Sequence, residues 1–565
     1  MHGTPQLETD GWSCWLFGEP LYREELLSRF DDGARDDTLT AFGRALAERG
    51  IDACELLYGR FVVVAYDRAA ERCLITRDQL GAQPLVYAPM SDGVLFAEHE
   101  RDLLGLVAQT PNPDRLALLQ WIENGITPLG RTLYDGIRRL PAGHRIACHQ
   151  GRARVERWWT LRYGGVEDGV QAELAERVRE EAFAAVGRAA ADSDSVAVKL
   201  SGGLDSACVA AALAVNGLAN GRARAIGGTF AEHPVSDERA LIEATARHAH
   251  LPLELVAFDS AGSMLAPALA HIERWRLPPA TPNLFLWQPL MSRARELSVE
   301  LMLDGEGGDE LFGVAPYLIG DVLREGRLGE AWSLAGRVPG IGQHPGRRSR
   351  WRVLRHYGVR PLVPIAVRRR RESARAESSS ALVPPADART LVELRFAAEA
   401  DRRDGPAWWR SQAESLIDTR DLLDMGSHFR REAVDEAIDI RHPLLYDLRL
   451  IEAMLRVPPR AQFDPIRDRP LLRDGLQGMI PEAVRTRHAK SNFSPLVLAG
   501  IRSEEASLVE PLRRADAPVR EYVAPSALDR KLDVSPEQRP LLGAGSLWRS
   551  AIIDRWLLLQ AERSS

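Results

Sequence analysis

A short polar loop between two apolar segments carries the residues best suited to phosphate chemistry. The apolar run Val196–Leu200 is followed by the string SGGLDS, which occupies Ser201–Ser206. Adjacent glycines let backbone N–H groups approach an anion closely, and a helix beginning at Ser206 adds the positive end of its dipole. Asp205 would repel a bare phosphate, so it indicates a cation beside the anion. We therefore predict a polyphosphate site with Mg²⁺; a plain strand-to-helix turn is the alternative.

A second polar loop concentrates acidic residues. Residues 301–313 read LMLDGEGGDELFG, so that Asp304, Glu306, Asp309 and Glu310 stand among four glycines. Carboxylates at the end of a strand suit a hard cation or a general base, and an acidic surface turn is the plainer alternative. Neither loop is a Walker A or Rossmann motif, because the chain has no Gly-Lys-Ser/Thr and no G-x-G-x-x-G after the strand.

Alternating strands and helices must position these loops. Apolar patterns predict helices at 171–190, 206–215 and 236–248. They predict strands at 196–200, 224–230, 253–258 and 300–303. Strands that alternate with helices indicate a doubly wound parallel sheet, followed by mainly helical chain beyond about residue 315. Residues 1–160 read instead as short antiparallel strands, and the Gly-rich segment 161–169 is the predicted linker.

Composition excludes several classes of protein. The 565 residues are 45% apolar and 27% charged, which is typical of globular domains. A net charge of −6 argues against a nucleic-acid partner. The chain has no long apolar run, no secretory pattern and no paired cysteine spacing, so we expect a cytoplasmic protein without a membrane span.

Basic residues are distributed unevenly. The chain has 70 arginines and only three lysines, Lys199, Lys490 and Lys531, so a retained lysine indicates a need for a compact ammonium. Lys199 stays unassigned at this point, and Lys531 is expected to be solvated. The arginine-rich stretch 346–380 is interpreted as a solvated, partly disordered loop, with a docking patch for an acidic peptide or partner as the alternative.

These motifs together resemble known enzymes. The SGGLDS string resembles the pyrophosphate loop of ATP pyrophosphatases, and LDGEGGDELFG resembles the matching element of asparagine synthetases. That element usually has Ser where this chain has Asp304, a departure that the sequence leaves unexplained. The resemblance implies an ATP-pyrophosphatase domain over 170–565, with ATP and Mg²⁺ as cofactors. It implies metal ligation by Asp205 and Asp309, and places Glu306 at the reacting carboxylate. It implies that the nucleotide is bound by Leu200, Ser201, Gly202, Gly203, Leu204, Asp205, Ser206, Gly228 and Gly305.

Two later blocks extend the resemblance. The segment AIDIRHPLLYD carries Asp439 where the family usually has Glu, so Asp439 is implied to assist Glu306. Residues 469–495 match the family's closing element, and Lys490 falls on the lysine directed at the ATP phosphates and the transition state. An ordinary surface lysine is the alternative for Lys490.

Residues 57–89 resemble the class II glutamine amidotransferases, which implies an antiparallel β sandwich with helices over 1–163. That family needs a cysteine immediately after the initiator Met, whereas this chain has His2 and its nearest cysteine is Cys14. The family's Asn-Gly-Glu loop also reads Phe17-Gly18-Glu19. We therefore expect a degenerate domain that does not hydrolyse glutamine.

Relatives with an inactive amidotransferase domain use an amine of their own substrate. The chain resembles lasso peptide cyclases most, which implies AMP-forming macrolactam closure between the N-terminal amine and an Asp or Glu side chain of a precursor peptide. The implied partners are that core peptide, a leader-recognition protein and a leader protease. A small-molecule lactam synthetase, an ammonia-dependent asparagine synthetase and a non-catalytic ATP-binding scaffold remain alternatives.

Overall fold

The computed structural model describes most of the chain. The described residues are 6–9, 11–22, 24–30, 38–258, 263–279, 281–340, 345–377, 382–400, 404–432, 438–488, 493–535 and 541–564. No helix within these ranges has the length and apolar content needed to cross a bilayer.

Two antiparallel sheets form the N-terminal part. Their strands are β1 (Leu7–Glu8), β2 (Trp12–Tyr22), β3 (Tyr58–Asp67), β4 (Arg72–Arg77), β5 (Val86–Pro89), β6 (Val94–Ala97), β7 (Arg138–Arg139), β8 (His144–His149) and β9 (Arg152–Arg157). The larger sheet has the order β1-β2-β3-β4-β8-β9 and the smaller one β6-β5-β7. The helices are α1 (Glu24–Phe30), α2 (Thr38–Arg49), α3 (Glu100–Leu104) and α4 (Arg115–Asn124).

Alternation along β3 explains why this sheet has two apolar faces. Phe61 and Val63 pack with α2, whereas Val62 and Val64 pack in a separate apolar layer with side chains of the smaller sheet. Successive strand residues point to opposite faces, so the run FVVVA serves both layers. The short antiparallel strands expected over residues 1–160 are confirmed, and β3, β4 and β5 are among them.

A five-stranded parallel sheet follows the linker segment. It contains β10 (Val196–Leu200), β11 (Ala223–Thr229), β12 (Leu253–Ala257), β13 (Leu301–Leu303) and β14 (Asp439–Arg441), in the order β12-β11-β10-β13-β14. All four neighbouring pairs are parallel. The predicted parallel sheet is thus confirmed, and β14 adds a strand that the sequence did not predict.

Helices cover both faces of this sheet. The first ones are α5 (Gln171–Ala190), α6 (Leu204–Val215), α7 (Arg239–His248), α8 (Leu265–Trp275) and α9 (Leu284–Glu296). Val196, Val198 and Leu200 pack into one apolar cluster with α5 and α6, whereas Ala197 packs into another with α8 and α9. Burial on both faces explains why β10 is a continuous apolar run.

The rest of the described chain is mainly helical, as predicted. Its helices are α10 (Gly308–Leu311), α11 (Leu318–Arg324), α12 (Leu328–Ala335), α13 (Arg347–Val353), α14 (Ile365–Glu377), α15 (Pro385–Ala400), α16 (Ala407–Ala413), α17 (Thr419–Leu422), α18 (Met425–Glu432), α19 (Pro443–Tyr446), α20 (Leu448–Arg456), α21 (Pro470–Gly475), α22 (Glu482–Arg485), α23 (Ser494–Ser503), α24 (Glu505–Arg513), α25 (Pro525–Leu532) and α26 (Leu541–Ser564).

The arginine-rich stretch is helical, contrary to the prediction of a partly disordered loop. Between residues 347 and 377 it forms α13, a π-helical and a 3₁₀ turn, and α14, which packs against α15. Buried Val353 and Leu354 anchor it in the core, which the charge pattern concealed. Residues 378–380 of the stretch lie outside the described residues.

Candidate active site

The SGGLDS loop lies between the end of β10 and the beginning of α6. Gly202 has a φ of +71°, a left-handed conformation that favours glycine. The hydroxyls of Ser201 and Ser206 are 3.1 Å apart, and the backbone N–H of Ser201 donates to Ser206 Oγ at 3.3 Å. The loop is therefore closed on itself at the N-terminus of a helix, where anions bind.

The acidic loop lies directly against the SGGLDS loop. A Cβ at Gly305 would stand 2.7 Å from the carbonyl carbon of Asp205, and a Cβ at Gly308 would overlap the Asp205 carboxylate. Since β10 and β13 are neighbours, their carboxyl ends meet at the same edge of the sheet. The glycines of the acidic string thus allow Asp205 to approach Asp309.

A buried arginine joins the two predicted metal ligands. Arg469 Nη1 lies 2.5 Å from Asp205 Oδ2 and 2.7 Å from Asp309 Oδ1, and only 3% of its side chain is exposed. Both carboxylates therefore reach one point of positive charge, and their oxygens are the donors that Mg²⁺ prefers. The donor set fits the ion implied by the family, although no cluster of three or more metal-ligating residues exists within the described ranges.

Lys199 and Asp304 form an ion pair next to the SGGLDS loop. Lys199 Nζ lies 3.1 Å from Asp304 Oδ2, 3.8 Å from Glu306 Oε1 and 3.9 Å from the centre of the Trp287 ring. His442 Nδ1 contacts Asp304 Oδ1 at 2.8 Å. Burial of Asp304 is outweighed by His442 and Lys199, which together hold its pKa well below the usual range.

This pairing accounts for two residues that the sequence left unexplained. Asp304 departs from the family's Ser, and Lys199 had no assigned role. The two side chains compensate each other, because a buried carboxylate needs a cation and hydrogen bonds. The ammonium of Lys199 is fixed on the cavity side of the sheet, beside Glu306.

One cavity of about 420 Å³ is lined by the SGGLDS loop, Lys199, Glu306, Asp309 and Arg469. Its predicted members are Leu200, Ser201, Gly202, Gly203, Leu204, Asp205, Ser206, Gly228, Gly305, Glu306 and Asp309. The cavity is also lined by residues to which the sequence analysis gave no role. The carboxylates among them are Glu238 and Asp468. The cations and aromatic rings among them include Lys199, Arg469, Arg473, Arg487, Phe230, Phe258, Trp287 and Phe493.

Aromatic rings form the end of the cavity near β11. Phe230 and Phe258 stack with ring centres 5.0 Å apart and planes at 14°, and Phe493 meets Phe230 edge-on at 5.7 Å. A Cβ at Gly228 would stand 2.9 Å from the Phe258 ring, so glycine is needed for this approach. Flat apolar walls of this kind suit a heteroaromatic base.

One predicted catalytic residue is not brought to this cavity, and a second lies outside the described residues. Asp439 pairs in register with Leu301, at the start of β13, whereas Glu306 follows the end of that strand. Its carboxylate binds Arg60 Nη1 at 2.7 Å and Arg441 Nε at 2.8 Å, and these charges outweigh burial and lower its pKa to about 2. Such a carboxylate is a poor general base. Lys490 lies outside the described residues, so its role stays a prediction.

The N-terminal cysteines occupy structural positions. Cys14 and Cys54 are buried in the core of the larger sheet, and Cys73 lies on β4. Burial raises the pKa of Cys14 to about 12 and that of Cys73 to about 11, and it raises the pKa of Cys54 still further. A thiol of this kind is a poor nucleophile at neutral pH.

Comparison with known proteins agrees with this fold. The profile described as asparagine synthase matches residues 177–558, and the glutamine amidotransferase domain profile matches residues 32–159. The chain therefore belongs to the asparagine synthase family and has its two-domain layout, an amidotransferase-like domain followed by a synthase domain.

Several curated relatives share part of the sequence. Asparagine synthetase [glutamine-hydrolyzing] 3 of Bacillus subtilis is 22% identical over 84% of this chain and 73% of its own length. A Mycobacterium tuberculosis protein, whose name suggests a glutamine-hydrolyzing asparagine synthetase, is 29% identical over 47% of this chain and 41% of its own length. Amidase chyE of Penicillium rubens is 24% identical over 55% of this chain and 48% of its own length. The chain thus matches less than half of the latter two relatives.

Proposed function

We propose that this protein is an AMP-forming, ATP-dependent ligase that makes an amide bond through an acyl-adenylate. The observation that carries the proposal is the single cavity in which the SGGLDS loop, the Asp205–Arg469–Asp309 cluster and Glu306 meet. A glycine-rich loop at a helix N-terminus suits a pyrophosphate, and paired carboxylates beside it suit a divalent cation.

Different residues of the cavity have different roles in the proposed reaction. Ser201–Ser206 bind the phosphates, Arg469, Arg473 and Arg487 line the cavity with positive charge, and the Phe230–Phe258 stack receives the adenine. Asp205 and Asp309 would hold Mg²⁺, which would supply positive charge to offset the phosphates. The substrate carboxylate attacks the α-phosphorus, pyrophosphate leaves, and an amine then displaces AMP from the acyl group.

Glu306 is the base for the amine step in this proposal. Its carboxylate lines the cavity 3.8 Å from Lys199 Nζ, so it is held by a fixed positive charge. Lys490 stabilises the developing negative charge. Asp439 has no role in the proposed reaction, because it lies at the start of β14 and pairs there with Arg60 and Arg441.

We further propose that the substrate is a lasso precursor peptide, closed as a macrolactam between its N-terminal amine and an Asp or Glu side chain. The high pKa values of Cys14 and Cys73 support an amine from the substrate rather than ammonia from glutamine. A leader-recognition protein and a leader protease would prepare the core peptide. Ammonia-dependent asparagine synthesis is the second candidate, because a relative is named as an asparagine synthetase, although that name specifies glutamine hydrolysis.

The test compares carboxylate substrates by pyrophosphate release with ATP and Mg²⁺. We expect release with a leaderless core peptide, which should lose the mass of one water and yield AMP, and no release with free aspartate plus ammonia or with β-amino acids. Glu306→Gln should slow closure by about 100-fold, since general-base catalysis contributes roughly 10²–10⁴-fold. Formation of ADP would refute the reaction class, and release with aspartate and ammonia alone would favour the second candidate.

A further inference from the structure

The arginine-rich segment is the most positively charged part of the molecule. Residues 346–377 contain eleven arginines and two glutamates, a net charge of +9 in a chain whose total is −6. The structure holds this segment in α13, α14 and the turns between them, so the positive charge lies on a fixed surface. Concentrating like charge on ordered helices costs stability, which suggests that the charge has a partner.

A cavity of about 500 Å³ opens beside this segment. Arg360 and Arg368 line it from the segment itself, Arg395 from α15 and Arg410 from α16. The N-terminal part contributes Ile126, Pro128, Leu129, Arg131 and Arg157, together with Gln120. We call this cavity the arginine cleft. It shares no lining residue with the nucleotide cavity.

Arginines outnumber carboxylates in the walls of the arginine cleft, which contain six arginines, Glu414 and Asp418. Glu372 contacts Arg360 at 2.9 Å and also pairs with Arg395, so one carboxylate serves two guanidinium groups. Burial and the charge of Arg360 lower the pKa of Arg368 and of Arg395. Bringing anionic oxygens into the arginine cleft would therefore relieve repulsion between neighbouring cations.

Apolar and acidic groups in the same walls narrow the class of ligand. Leu129, Leu391 and Leu394 line the arginine cleft together with the carboxylates of Glu414 and Asp418. A nucleic-acid backbone, with its continuous phosphates, would meet those carboxylates unfavourably. Acidic side chains interspersed with apolar ones match the mixture of arginines and leucines.

We propose that the arginine cleft binds an acidic, partly apolar peptide segment, through guanidinium–carboxylate pairs at Arg360, Arg368, Arg395 and Arg410 and apolar contacts with the leucines. This site is separate from the nucleotide cavity, so the inference goes beyond the proposed ligase activity. The walls of the arginine cleft come from both domains, so a bound peptide would also contact the N-terminal domain.

The test measures binding of a labelled synthetic peptide that alternates Glu with Leu to the full chain, by fluorescence anisotropy. The same peptide with Gln in place of Glu, and a single-stranded oligothymidylate of equal charge, serve as competing probes. We expect the Glu peptide to bind and the Gln peptide to bind at least about tenfold more weakly, since charge-assisted pairs are the stronger ones. Tighter binding of the oligothymidylate, or equal binding of the two peptides, would overturn the proposal.

Two charge-matched variants locate the site. Arg368→Glu with Arg395→Glu should weaken peptide binding by about tenfold or more, because both residues face the arginine cleft. Arg348→Glu with Arg370→Glu changes the net charge equally at exposed positions outside the arginine cleft, and should weaken it less than about threefold. Circular dichroism checks that each variant is folded. Equal losses in the two folded variants would show binding to diffuse charge and would contradict the proposal.

Discussion

At the scale of single residues, the buried Lys199–Asp304–His442 contact distinguishes this site from the pattern that its sequence resembles. Lys199 stands on the strand before the phosphate loop, and Asp304 begins the acidic loop. His442 follows the last strand of the sheet. The three side chains join three neighbouring strands, so they fix the ends that carry the two loops.

Removing the ammonium should expose this dependence. Lys199→Met leaves Asp304 buried without the Lys199 ammonium. We expect the free energy of unfolding, measured in urea, to fall by about 3 kcal/mol, as when one partner of a buried ion pair is removed. Restoring the family's Ser at 304 in the Lys199→Met background should recover much of that loss. If the double variant is no more stable than the sum of the single variants predicts, the two residues are not coupled.

Asp439 provides a prediction about pH. Its pKa is depressed to about 2 in the fold, against about 3.9 in an unfolded chain, so its pairs with Arg60 and Arg441 contribute stability above the higher value. That contribution is lost as pH falls through the lower value. Asp439→Asn should therefore flatten the decline in stability between about pH 4 and pH 2. Chemical denaturation across this pH range measures the free energy of unfolding. If stability declined equally in Asp439→Asn and in the unmodified protein, the pairing of Asp439 with the two arginines would be contradicted.

At the scale of elements, the two functional loops depend on how closely β10 and β13 bring them together. Gly308 begins α10, and a Cβ there would overlap the Asp205 carboxylate. Gly329 lies in α12, where an added Cβ would meet no atom within 4 Å, so it offers a matched control. A methyl group added at Gly308 should therefore disturb the contact between the SGGLDS loop and the acidic loop, whereas one added at Gly329 should not.

Gly308→Ala should weaken ATP binding by about 10- to 100-fold, because overpacking costs roughly 1–3 kcal/mol and displaces Asp205. Gly329→Ala should bind ATP as the unmodified protein does. Isothermal titration with ATP and Mg²⁺ measures both. Equal affinities for the two variants would show that the loops are not in contact.

The sequence predicted the parallel sheet and the phosphate loop, because both are local patterns. Val196–Leu200 is apolar over its whole length, and SGGLDS follows it without interruption. The acidic string could be placed opposite that loop, since both follow parallel strands. Among the predicted residues, Asp205, Glu306 and Asp309 therefore share one cavity.

Long-range pairings could not be predicted in the same way. Arg469 contacts Asp205 although the two residues are 264 positions apart in the chain. Arg469 has a left-handed backbone at φ +52°. Nothing in the sequence distinguishes it from the other arginines of this arginine-rich protein. Asp439 was assigned to the site because its block matches the family, but its position at the start of β14 was visible only in the register with Leu301. Strand order and register depend on the whole fold.

At the scale of the whole molecule, buried ion pairs connect the two domains. Arg77 at the end of β4 contacts Asp421 at 3.1 Å, with 1% and 4% of the side chains exposed. Its guanidinium also donates to the carbonyls of Gln83 and Gly81. Arg139 contacts Asp424 at 3.1 Å in the same interface. The N-terminal domain is thus attached through desolvated charges.

Arg77→Met should therefore destabilise the protein by about 4 kcal/mol, because it leaves a buried carboxylate and carbonyls without their donor. Arg72→Met, at the exposed start of the same strand, should cost less than about 1 kcal/mol. Thermal unfolding monitored by tryptophan fluorescence compares the two variants. Similar small losses in both would contradict a buried bridge between the domains.

The most direct test of the account is the fate of ATP when the protein meets a peptide carboxylate. With ATP, Mg²⁺ and a leaderless core peptide, we expect AMP and pyrophosphate in equal amounts, together with a peptide lighter by one water. Asp205→Asn should abolish all three products, because Asp205 lies at the phosphate loop beside Arg469 and Asp309. Formation of ADP, or AMP production that persists in Asp205→Asn, would contradict the central claim.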